Sequence, residues 1–238
     1  MNFPYKAALF DWAYTLVDLV EEDDRKALKG VVEFLRSKGF ELSKFDEIYA
    51  DYRDLFYKMI AHSRESDLEA HFEHVLNFIL IQRRINLKDK TTVDELLKVY
   101  YEEIYSHRKV YPEVVPTLIS LQSAGVRMGI ISNTTNPGFM KDYERAVMGL
   151  DSYFEFSIYS SEVPFRKPHP SIFQLALRRL QLQPEEVLFI GDNLNADIAG
   201  ARGVGLPTAW INRKMDPAPV KNPPDYNLHR LDELLTIQ

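Results

Sequence analysis

From about residue 112 the chain repeats a two-part unit. A short, continuously apolar run is followed by a longer stretch with apolar residues at helical spacing, and then by another short run. The runs are "VRMGIISN", "FEFSIYSS", "EEVLFIGD" and "PTAWIN"; the stretches between them are "GFMKDYERAVMGL", "PSIFQLALRRLQL" and "NADIAGARGVG". "PEVVPTLISLQSAG" comes before the first run, with Pro112 near its start and Gly125 at its end, the usual asymmetry of a helix. "HRLDELLTI" closes the chain and reads as a last helix. Continuously apolar strands are buried on both faces, and helices of this length are what parallel crossovers need. The pattern predicts an α/β fold with a doubly wound parallel sheet and right-handed crossovers.

One more run of this kind, "KAALFD" at residues 6–11, stands far upstream. Between it and the alternation, residues 20 to 110 carry only helical periodicity, in "DDRKALKGVVEFLRSKG", "FDEIYADYRDLFYKMIAH", "DLEAHFEHVLNFILIQRR" and "TVDELLKVYYEEIYSH". The first strand therefore belongs with the later sheet, and an all-helical insert follows it. The expected division is a core of residues 1–17 and 110–238 with a helical insert at 18–109. A Pro-rich surface connection is expected at 214–225, "KMDPAPVKNPPD".

Composition narrows the function. At 45% hydrophobic and 27% charged residues, the chain reads as an ordinary globular protein. A net charge of -6 without a basic tract argues against a nucleic-acid partner. The absence of cysteine excludes disulfides, thiolate zinc sites and cysteine nucleophiles, and suits a reducing compartment. No signal-peptide pattern or membrane-length apolar run is present, so a cytoplasmic location and no membrane partner are expected. The acidic cluster "EEDD", Glu21 to Asp24, reads as the first turn of a helix, where acids suit the dipole. Oligomeric state is not legible.

In an open α/β sheet, ligands bind beyond the carboxyl ends of the strands. The strands here end at Asp11, at Ser132 and Asn133, and at Asp192; the loop after "FEFSIYSS" carries Lys167, and Asp197 lies five residues past Asp192. Buried charges are costly unless paired, so this set at one edge asks for a functional reason. A carboxylate can attack phosphorus to form an aspartyl-phosphate. Asp11 and Asp192 are the natural pair to hold Mg2+, which prefers oxygen ligands. Lys167 can offset charge on nucleophile and phosphate, and Ser132 with nearby backbone N–H groups can hold phosphate oxygens.

In this order the segments "LFDWAYTLVD", "GIISNTT", "RKPHP" and "FIGDNLNAD" resemble the four motifs of the haloacid dehalogenase-like hydrolases. The resemblance covers nearly the whole chain. The insert is similar to the helical cap of the subgroup that includes phosphoglycolate phosphatases, phosphonatases and dehalogenases. The resemblance implies a Mg2+-dependent phosphohydrolase of a small phosphorylated metabolite. Asp11 corresponds to the nucleophile and a metal ligand, and the backbone carbonyl of Ala13 and Asp192 to the other metal ligands. Asp197 corresponds to a residue that steadies a metal-bound water or Lys167, and Ser132, Asn133 and Lys167 to those that hold the phosphoryl group.

Ala13 departs from the pattern. The family's phosphatases carry an Asp there, which protonates the leaving alcohol and later activates water, help worth roughly 10²- to 10⁴-fold. Three readings stay open: a phosphohydrolase that manages without this acid, a phosphonatase-like C–P hydrolase, or a catalytically impaired binding or sensor protein. Phosphonatases lack the acid because a cap lysine forms a Schiff base; Lys58, with His62 one turn on, is the candidate here, against the plainer reading of a solvated lysine. Dehalogenases also lack the acid, but "GDNLNAD" is a metal-type ending and argues against that chemistry. Tyr14 stands where the family often has Gly.

Other residues have plainer readings. Asp18 is expected at the hinge of the cap or as a helix N-cap. His71 and His74 share a helix face but lack partner ligands. Tyr49, Tyr52, Phe56, Tyr57, Phe72 and Phe78 are expected to pack the cap, with one or two reaching the substrate pocket. Asn212 and Arg213 read as structural, and His169 as a residue that orders its loop.

Overall fold

The computed structural model describes residues 3–19, 22–217 and 223–237. Six strands form one parallel sheet in the order β5-β4-β1-β6-β7-β8. They are β1 (Ala7–Phe10), β4 (Arg127–Ser132), β5 (Phe156–Tyr159), β6 (Val187–Gly191), β7 (Thr208–Ile211) and β8 (Tyr226–Leu228). β1 is central: Leu9 sits opposite Gly129 on one side and Phe189 on the other. Its continuous apolar run follows from this position. Ala8 and Phe10 enter a core on one face with Val114, Leu118 and Leu231, while Ala7 and Leu9 enter a core on the other with Phe173, Phe189 and Leu206.

The crossovers are α5 (Val114–Ser123), α6 (Gly138–Val147), α7 (Pro170–Leu180) and a short turn of helix, α8 (Gly200–Arg202), preceded by a π-helical segment at Leu194–Ala199. The insert holds α1 (Asp24–Ser37), α2 (Phe45–Ser66), α3 (Phe72–Gln82) and α4 (Val93–Tyr105) around an apolar core that Met140 of α6 also enters. Local chemistry sets the helix starts. Asp23 caps α1 by accepting from Lys26 N–H at 2.9 Å, and Thr92 and Glu95 form a reciprocal capping box on α4. Among the described residues no helix is long and apolar enough to cross a membrane.

Several expectations change. Two short antiparallel strands, β2 (Val17–Asp18) and β3 (Lys109–Val110), tie the entry and exit of the insert together, with Asp18 opposite Lys109. Asp18 is therefore a strand residue at the root of the insert, and Asp23 is the helix cap. The closing helix is 3-10 (Leu231–Thr236), and β8 adds a sheet edge that its short, weakly apolar sequence did not announce. In the Pro-rich connection, 218–222 lie outside the described residues, as does Glu21 of the acidic cluster. Tyr52 and Phe72 are buried in the insert's core, but Tyr57 and Phe78 are more than half exposed and point away from it.

Candidate active site

β1 runs out at Phe10, and the chain then turns sharply through Asp11–Thr15. Tyr14 has a positive φ of 58°, a conformation uncommon for non-glycine residues, which accounts for the glycine common at this slot. Arg213, at the end of β7, holds the turn. It donates to the carbonyls of Tyr14 and Thr15 at 3.1 and 3.0 Å and pairs with Glu113 at 2.6 Å, with its guanidinium over the Tyr111 ring.

Lys167 arrives from the loop after β5. Its buried ammonium donates to Asp11 Oδ1 and to the Ile131 carbonyl, both at 2.7 Å, and stands 2.7 Å from Asp197 Oδ1 as an ion pair. Burial works against this charge, but Asp11 and Asp197 outweigh it and hold the lysine above its ordinary pKa. Asn133 fixes the lysine backbone: its side-chain amide donates to the Lys167 carbonyl and accepts from the Lys167 N–H, each at 2.8 Å. The Asn133 side chain is thus spent on positioning.

Asp11, Asp192 and Asp197 bring carboxylate oxygens within 4.8 Å of one another. Burial, then Asp11 and Asp197, pushes Asp192 up to about 8; burial, against the pull of Lys167, pushes Asp197 up to about 6. One lysine against three carboxylates leaves an excess of negative charge. An all-oxygen donor set of this kind fits a hard divalent cation such as Mg2+. Among the described residues nothing donates to the Ala13 carbonyl, which leaves that oxygen for a cation as well. His71 and His74 lie outside this carboxylate group, their rings 4.9 Å apart.

Between sheet edge and insert lies a cleft of about 220 Å³, lined by Ala13, Ser132 and Asn133 from the core and Ile60, Arg64 and Glu69 from the insert. A larger cavity of about 500 Å³, beside Tyr14 and Tyr111, touches the centre only through Asp192. The cleft walls also hold Arg108, Lys141 and Arg166. Lys141 and Arg108 both pair with fully buried Glu144, which also accepts from Trp12 Nε1 at 3.0 Å; Arg108 additionally binds Glu22. None of these was legible as a site residue. Lys141 and Glu144 stand three apart on a helix, a spacing that carries no signal of a site. Lys58 does not reach the cleft: it is exposed and pairs with Asp54 at 2.8 Å, and His62 is exposed too. His169 orders its loop as expected, accepting from Ser171 N–H at 3.3 Å.

Fold and site define a capped α/β protein built around an aspartate–lysine–aspartate centre at the end of its middle strand. The model of the haloacid dehalogenase-like hydrolases matches residues 5–205, and the chain belongs to that family. It is 32% identical to a glyceraldehyde 3-phosphate phosphatase of Methanopyrus kandleri, over 98% of this chain and 96% of the relative. A protein of the same name from Pyrococcus furiosus is 29% identical over 98% of this chain and 92% of its own length. The crystal structure of a HAD phosphatase from Thermococcus onnurineus superimposes with a TM-score of 0.65 at 29% identity, covering 97% of this chain and 96% of that one.

Proposed function

We propose that this protein is a Mg2+-dependent phosphohydrolase of a small phosphorylated metabolite, working through an aspartyl-phosphate on Asp11. The observation that carries the reading is the Lys167 ammonium, held between Asp11 and Asp197 beneath a cleft with cationic walls. Asp11 presents one oxygen to Lys167 and keeps the other for phosphorus. Ser132 and the backbone beyond it hold phosphoryl oxygens, while Asn133 locks the lysine in register. Asp11, the Ala13 carbonyl and Asp192 would hold Mg2+, which would supply positive charge against the two anions, carboxylate and phosphate. Asp197 keeps Lys167 in place.

The relatives named above make glyceraldehyde 3-phosphate the first substrate to try. Ala13 favours a second reading, a site that binds phosphate and Mg2+ without turnover. The test is hydrolysis with Mg2+ across glyceraldehyde 3-phosphate, p-nitrophenyl phosphate, acetyl phosphate, other sugar phosphates and phosphonoacetaldehyde, on the wild type, Asp11→Asn and Ala13→Asp. Turnover of phosphates that Asp11→Asn abolishes, together with a trapped phospho-aspartate, supports the proposal. Binding without turnover in either the wild type or Ala13→Asp supports the second reading. Release of phosphate from phosphonoacetaldehyde alone would point to C–P chemistry.

A further inference from the structure

Ala13 leaves the cleft without an acid beside Asp11, and the cleft holds a buried lysine that the reading so far does not use. Lys141 lies on α6 with its side chain 4% exposed. Its ammonium stands 4.9 Å from the centre of the Trp12 ring, next in the chain to Asp11, and it lines the same cleft as Ala13 and Ser132. An ammonium carries three donors. Lys167 donates to Asp11 and the Ile131 carbonyl and has Asp197 beside it as a second ion-pair partner. Among the described residues, Lys141 hydrogen-bonds only to Glu144 Oε2. Glu144, moreover, is already matched by Arg108 at 2.6 Å and by Trp12. A buried ammonium with donors to spare is costly unless an acceptor arrives. The other cations of the cleft are otherwise engaged or exposed: Arg108 with Glu22 and Glu144, Arg166 with Ser63 and Glu69, and Arg64 exposed on the insert.

We infer that Lys141 binds the leaving-group oxygen of the substrate and stabilises the charge that develops on it, in place of the acid absent at position 13. This rests on the phosphohydrolase reading above. Asp11 attacks phosphorus, the bond to the ester oxygen breaks, and its electron pair stays on that oxygen. The ammonium offsets the new charge electrostatically. The alkoxide takes a proton from a water molecule, and the hydroxide that remains accounts for the nucleophile that frees phosphate and restores Asp11.

The role is read from how rate depends on the leaving group. Esters spanning aryl to alkyl leaving groups, with acetyl phosphate, are compared on wild type, Lys141→Met and Lys141→Arg. Lys141→Met is expected to lose about 10²-fold in kcat/KM on alkyl phosphates, the size of loss seen when one oxyanion donor is removed, and less than about tenfold on p-nitrophenyl and acetyl phosphate. Lys141→Arg should keep the wild-type dependence, and Ala13→Asp added to Lys141→Met should restore the alkyl esters preferentially. Equal losses on every substrate would overturn the inference, since they mark a phosphate-binding or purely structural lysine. Should Lys141→Met fail to fold, Lys141→Gln gives the same comparison without the charge. A wild type with no turnover and no phospho-aspartate would instead remove the phosphohydrolase reading itself.

Discussion

A Cβ on Gly191 would stand 2.4 Å from Asp197 Oδ2, so this strand end tolerates no side chain. Asp197 folds back against it and accepts from Asn193 N–H at 3.0 Å, and that places its other oxygen on Lys167. Gly191→Ala is expected to push Asp197 off Lys167. It should cost about 1–3 kcal/mol in urea unfolding and most of the activity. The neighbouring Asp192 makes a charge-based case. It is harder to ionise folded than unfolded, so the native state binds more protons between the ordinary value of 3.8 and about 8. Its contribution therefore lowers stability as pH rises through that window. Asn cannot ionise and escapes this penalty. Metal-free Asp192→Asn is expected to melt about 2–4 °C above wild type near pH 8, the gap closing toward about pH 5. Thermal scans in chelator across that range decide it; a gap that does not change with pH would show that Asp192 is not the group responsible.

Helix α6 carries much of what the sequence hid. Glu144 is its buried hub, and burial alone would keep it protonated, but Lys141 and Arg108 outweigh that and hold it below the ordinary range. Glu144→Gln leaves buried Lys141 without a counter-charge and Arg108 with Glu22 alone, and breaking such a buried pair costs about 3–5 kcal/mol. Urea denaturation of the variant should show that loss, whereas Lys29→Ala, an exposed i,i+4 pair with Glu33, should show under about 0.5 kcal/mol. The contrast explains what could be read in advance. Asp11, Ser132 and Asp192 were legible because each sits where a local signal, an apolar run, meets a polar residue, and Lys167 because it stands in the "RKPHP" motif of the loop after β5. Trp12, Arg108 and Glu144 meet across separations of 132 and 36 residues, and no local pattern encodes that. The short pair β2 and β3 was missed for the same reason: a two-residue strand has no periodicity to detect.

At the scale of the whole molecule, the cleft is held from two sides. On one, β2 pairs with β3, and Arg108 joins Glu22 at the start of the insert to Glu144 in the core. On the other, the insert is latched by Phe72 N–H to the Thr135 carbonyl at 3.2 Å, Arg166 N–H to the Asp67 carbonyl at 2.9 Å, Arg166 to Ser63 at 2.6 Å, and Glu69 to Ser160. At the root the chain is covalently continuous and β2 pairs with β3; the latch is a few polar contacts, so it is the side expected to open to admit substrate. All three carboxylates of the metal-type centre belong to the core. The two functions should then separate. Glu69→Ala removes the latch contacts with Ser160 and Arg166 and is expected to raise KM roughly tenfold while lowering kcat less, because the groups at the strand ends do not move. Saturating Mg2+ should raise Tm by roughly 5–10 °C in both wild type and Glu69→Ala, as binding to the folded state alone requires. The same addition should leave Asp192→Asn nearly unshifted. If Glu69→Ala also lost the Mg2+ response, cap and centre would be one cooperative unit, and substrate entry could not be a movement of the insert alone.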